Sequence, residues 1–151
     1  MRSSGLHSFA SIRLISPLTW LAGVLILLSF PNAFAQSSDF SAFWKEFKSA
    51  VSAGDKLMVA GITKFPLSMP YGVKAVKNKE DFLRRYNEIF KGEANAAQCF
   101  AKVEPQKEGG QYEVYCPFKD TPNDMENAPI RFVFESIKGG WRFAGLDNIN
   151  E

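Results

Sequence analysis

"IRFVFESIKGGWRFAGLDNI", residues 130–149, decides the fold. Phe132 and Phe134 alternate with Arg131, Val133 and Glu135, so an extended segment here has one aromatic face and one largely charged face. Alternation with a period of two is the mark of a half-buried strand. Lys138-Gly139-Gly140 then supplies a turn, because glycine reaches the backbone angles that tight hairpins need. "WRFAGLDNI" resumes the extended pattern. The stretch predicts an antiparallel hairpin with one face committed to a core.

Immediately upstream, "QCFAKVEPQKEGGQYEVYCPF", residues 98–118, reads as two more extended runs joined by a turn. With the turn centred on Lys107 and Glu108, Val103 faces Tyr112, Ala101 faces Val114 and Cys99 faces Cys116. Directly opposed residues have Cβ atoms about 4.5–5.5 Å apart, so a Cys99–Cys116 disulfide is feasible across this hairpin. The pair lacks the C-x-x-C spacing of redox and zinc sites. Between the two hairpins, "KDTPNDMENAP" is a polar loop; its Asp120, Asp124 and Glu126 lack the alternating oxygens and central glycine of an EF-hand.

Towards the N-terminus the period changes. Phe40, Phe43, Trp44, Phe47 and Val51 recur at helical spacing with Lys45, Glu46 and Lys48 between them, which predicts an amphipathic helix begun at Ser38 or Asp39 and stopped by Gly54. Asp55 can cap a shorter second helix carrying Leu57, Met58 and Ile62. Asn78 can cap a third, with Phe82, Leu83, Tyr86, Ile89 and Phe90 on its apolar face and Gly92 at its end. The intervening "TKFPLSMPYG", residues 63–72, cannot be helix interior, and Pro66 and Pro70 restrict any strand there to an edge or irregular position. It leads into a short edge strand within "VKAVK". Helices first and antiparallel strands after them predict an α+β domain, with helices packed on one face of a curved antiparallel sheet.

This order of elements resembles the NTF2-like superfamily, the cystatin-like α+β cone. The closing hairpin at 130–149, with its aromatic strand, glycine turn and W-x-F strand, is similar to that family's last hairpin. "FSAFWKEFKSAVSAGDKLMVAGIT", residues 40–63, resembles its first two helices. The resemblance implies a cone whose interior, between helices and sheet, can be a pocket. Members include isomerases, dehydratases, small-molecule binders and modules with no catalysis; the isomerase-like ones use an acidic base with a Tyr or acid as oxyanion donor. No segment of this chain matches those catalytic motifs, so no catalytic residue carries over.

Residues 1–35 read as a cleaved secretory signal: Arg2 and Arg13, an apolar run from Leu18 to Phe30, and Ala33-Phe34-Ala35 before Gln36. The apolar run is shorter than the ~20 residues a membrane span requires. Residues 36–151 then form one exported domain, periplasmic or secreted, with no stable membrane anchor. Of the 18 Lys and Arg, two leave with that segment, so 16 basic residues remain against 16 acidic ones. A neutral chain without a basic stripe lacks the electrostatic footprint of a nucleic-acid binder.

The one histidine, His7, lies in the signal segment. Its loss removes Ser-His-Asp and Cys-His arrangements, histidine zinc sites and the commonest general base. No phosphate-binding glycine loop or nucleophile elbow occurs, and neither a metal nor a cofactor is expected. Carboxylate and phenol chemistry remain, and Tyr71, Asp81, Tyr86 and Asp147 are the candidate catalytic groups. Phe65, Met69, Tyr71, Tyr86 and Trp141 are the candidates to line a pocket if the interior is hollow; if it is filled, they are core. The expected function is a non-catalytic binding module for a protein partner, a second copy of itself or a small apolar ligand. The alternative is an isomerase or dehydratase using a buried carboxylate and a Tyr.

Overall fold

A computed structural model describes residues 39–69 and 75–151. The expectations for residues 1–38, including the signal segment, and for Tyr71 lie outside the described residues. Helix α1, Phe40–Ala53, starts where the Asp39 carboxylate accepts from the amides of Ser41 and Ala42. It ends at Gly54, whose left-handed φ of 69° lets its N–H reach back to Ala50 and Val51. Asp55 caps α2, Lys56–Gly61, through the Met58 amide. Asn78 caps α3, Lys79–Lys91, through the Asp81 amide. Gly92 closes α3 for a steric reason: a Cβ there would lie 2.4 Å from the Glu88 carbonyl oxygen.

Six strands form one sheet in the order β2-β1-β6-β5-β4-β3. They are β1, Thr63–Ser68; β2, Ala75–Val76; β3, Gln106–Glu108; β4, Gln111–Cys116; β5, Ile130–Ile137; and β6, Gly140–Asn148. The β5–β6 hairpin forms as its alternation predicts, with Ile137 opposite Gly140 around the turn and Gly139 and Gly140 both at positive φ. The fold is α+β, with the helices packed on a mixed sheet rather than a purely antiparallel one. The correction comes from "TKFPLS", which is β1 and runs parallel to β6. Of the two positions open to a strand holding Pro66, edge or irregular, β1 takes the irregular one, since β2 covers its other side. Pro66 is tolerated because β1 and β6 pair only at Thr63 with Phe143 and at Ser68 with Gly145, so its missing N–H falls in an irregular stretch.

The Cys99–Cys116 disulfide is present, but not across the register expected for it. Residues 96–100 are a fourth helix, α4, Ala96–Phe100, capped by Asn95, and the bond ties this helix to β4 over a Cα–Cα distance of 5.8 Å. The hairpin turn sits at Gly109-Gly110, where Gly109 takes a φ of 59°, and pairs Gln106 with Glu113. Two forces override the alternation: Asn95 satisfies an orphan helix amide, and the helix delivers Phe100 to a packed position 5.0 Å from both Trp44 and Phe132.

The core lies between the helices and the inner face of the sheet. Phe43, Trp44, Phe47, Phe82, Phe90, Phe100, Phe132, Phe134 and Phe143 are all buried there. Phe47 alone has ring partners on α3, α4, β5 and β6. Edge-to-face and offset pairs of this kind fill space efficiently and add to the benefit of burial.

Candidate functional site

Because successive strand residues point to opposite faces, the residues between the core aromatics stand on the outer face. On β4 these are Gln111, Glu113 and Tyr115; on β5, Arg131, Val133 and Glu135; on β6, Arg142, Gly145 and Asp147. Their side chains form a polar network. Arg131 donates through Nη2 to Asp147 Oδ2 at 2.6 Å, and its Nη1 lies 3.5 Å from Glu113 Oε1. Glu113, only 3% exposed, also accepts from Gln111 Nε2 at 2.6 Å and from the Tyr115 hydroxyl. Lys64 Nζ donates to Glu135 Oε2 at 2.6 Å.

Charge and burial act together here. The hydrogen bond to Glu113, then desolvation, hold the Tyr115 hydroxyl above its ordinary pKa. Desolvation works against the Arg131 charge, but the hydrogen bond to Asp147 and the neighbouring carboxylates outweigh it and raise its pKa. With both oxygens of Glu113 engaged, this phenol–carboxylate pair is a structural knot rather than a free acid–base couple.

At the centre of the face the sheet is interrupted. Phe134 faces Phe143 and Val133 faces Gly145, which leaves Ala144 without a partner on β5; β1 is irregular against the same residues. Bulges re-aim side chains, and a glycine within a strand opens space above it. The result is a groove of about 270 Å³ lined by Ser68, Gln111, Arg131, Val133, Glu135, Ala144, Gly145, Leu146 and Asp147. A Cβ added at Gly145 would meet Val133 at 3.6 Å and Ser68 at 3.7 Å, ordinary contacts, so the groove floor is the space a side chain there would take.

The residues singled out from the sequence fall in different layers. Tyr86 is 2% exposed in the core, packed on Phe82 and Phe90, and its hydroxyl has no hydrogen-bond partner among the described residues. Burial, then the Asp55 charge, raises its pKa. Phe65 packs edge-on against Phe82, and Met69 is buried. Trp141 sits on the inner face beside Phe40 and Tyr112. Asp81 lies in the first turn of α3, where the Lys77 amide and the paired Arg85 and Arg84 lower its pKa against partial desolvation. Asp147 stands on the outer face. The structure brings Phe65 and Tyr86 to the same ring, Phe82, but it does not bring Tyr86, Asp81 and Asp147 together.

Sequence reasoning missed Gln111, Glu113 and Tyr115 as a group. Their signal is present: polar residues at i, i+2 and i+4 in "QYEVYC" match the same rhythm of Arg131 and Glu135 on the next strand. Among the described residues, no cluster of three or more His, Cys, Asp or Glu is placed to hold a metal, and no helix is long and apolar enough to cross a membrane. No protein-family model and no curated protein matches the chain.

Proposed function

We propose that this chain is an exported, non-catalytic binding module of NTF2-like fold, released by cleavage near Ala35, whose outer sheet face holds a protein partner. The observation that carries the reading is the division between the two faces of the sheet. On the inner face, where a cone-like relative would have its pocket, aromatic rings from α1, α3, α4 and the sheet are in mutual contact. On the outer face lies an open groove with polar groups around a glycine floor. A packed inner layer favours an interaction surface over a small-molecule enzyme, which would need an apolar cavity with convergent polar groups.

Export is supported by the signal-like segment and by a disulfide, a bond that persists in oxidising compartments. Native mass spectrometry of the chain recovered from the exported fraction, as wild type and as Gly145→Leu, tests the reading. The expected result is a protein complex with the wild type that is lost in the variant. A small molecule retained by both would point to a hollow interior instead.

A further inference from the structure

We infer that the outer face receives a second copy of this chain, packed over Val133 and Gly145 about a two-fold axis; this rests on the reading of that face as the binding surface. What selects the partner is the order of charges around those two residues. Val133 faces Gly145 across β5 and β6. To one side of them Arg131 faces Asp147; to the other Glu135 faces Arg142, with Lys64 reaching over from β1 to Glu135. Along β5 the charges read plus then minus, about 13 Å apart at the rise of a strand. Along β6 they read minus then plus.

With Lys64, Arg131 and Arg142 set against Glu113, Glu135 and Asp147, the face carries no net charge and favours neither a cationic nor an anionic partner. An alternating square of charges is instead its own complement. A two-fold axis between the copies, parallel to the strands, lays β5 of one over β6 of the other. Arg131 then stands over the second copy's Asp147, and Glu135 over its Arg142 and Lys64. Such an isologous contact makes every pair twice, and aligned sheets pack face to face in this manner. Shape agrees with charge: half-buried Val133 stands beside the groove of about 270 Å³ floored by Gly145, so each copy offers one projecting side chain and one depression. The side chains of Lys64, Glu135, Arg131 and Asp147 keep between 24% and 41% of their surface exposed. An ammonium has three donors and a carboxylate two oxygens, while one contact joins Lys64 Nζ to Glu135 Oε2, so both have capacity for a further partner.

The test is sedimentation equilibrium of the exported, oxidised chain over a range of concentrations, as wild type, Lys64→Glu, Glu135→Lys, and an equimolar mixture of the two variants. The wild type should approach the mass of two chains. Each variant alone should dimerise at least about ten-fold more weakly, because like charges then oppose one another across the axis. The mixture should regain the two-chain mass, since the reversed charges now meet their opposites; a role confined to one chain's own fold is not rescued by mixing. Gly145→Leu leaves all the charges in place and should also abolish the dimer, which keeps the test decisive if a charge variant fails to fold. A wild type of single-chain mass at every concentration, variants that dimerise as well as the wild type, or folded variants not rescued by mixing would each overturn the inference. If the wild type is a single chain, yet native mass spectrometry finds it bound to a different polypeptide that Gly145→Leu loses, the outer face remains the binding surface and only self-association is wrong. A complex that Gly145→Leu retains would sink both.

Discussion

Val133 and Phe134 are neighbours on β5 and differ in everything that matters. Phe134 points inward, is fully buried, and touches the rings of Phe40, Phe43, Trp44, Phe47 and Phe143. Val133 points outward into a groove bordered by Gln111, Arg131 and Glu135. The inner face is held by burial, which is undirected and strongly penalises lost volume. The outer face is held by paired charges and hydrogen bonds, each worth little net but costly if left half-made. One sheet thus separates an apolar, close-packed face from a polar, hydrogen-bonded one by the parity of its residues.

The comparison breaks most easily from the inside. Phe134→Ala should cost ~3–5 kcal/mol in urea denaturation, as expected for emptying a close-packed aromatic site; a loss under ~1 kcal/mol would mean a loose interior. Replacing Cys99 and Cys116 together by Ala should cost ~3 kcal/mol, the loop-closure value for a 17-residue separation. The same loss should follow from reduction of the wild type. On the outer face, Glu113→Ala should cost ~1–3 kcal/mol because it strands the Tyr115 hydroxyl and one arm of Arg131. Stability unchanged by that substitution would mean the network is ornamental.

Smaller effects sharpen the contrast. Tyr86→Phe removes a buried hydroxyl that has no hydrogen-bond partner among the described residues and should leave stability unchanged or raise it by ~1 kcal/mol. It should also flatten the alkaline limb. Tyr86 has a folded pKa above its ordinary 10.0, so its contribution is intact below pH 10 and is lost as pH rises through the folded value. Denaturation midpoints measured from pH 8 to 11 for both proteins check the sign. Smallest of all, Gly145→Leu should move stability by no more than ~0.5 kcal/mol, because its Cβ meets only ordinary contacts. Its effect should appear in partner binding alone.

Much of this division was legible in the chain. The α1 stripe, the Asn78 cap and the Gly139-Gly140 turn are local signals, and tertiary structure agrees with each of them. Residues 96–105 misled because "QCFAKVE" alternates like a strand, while the Asn95 cap and the packing of Phe100 favour a helix. β1 was hidden by Pro66, since a parallel partner 75 residues or more downstream leaves no local trace in sequence. The groove was hidden for a similar reason: it exists where irregularities in β1 and β6 coincide, and neither strand records the other's register. The disulfide survived a wrong register because two buried cysteines, one on α4 and one at the end of β4, can meet through a helix as well as through a hairpin.

The most direct test of the separation between faces is native mass spectrometry of the purified, oxidised chain. The account requires a polypeptide mass with one disulfide and no small molecule retained, because the space between helices and sheet is occupied by side chains. A small apolar molecule held in stoichiometric amount, and released on unfolding, would place a cavity where the aromatic core is described and would contradict the account.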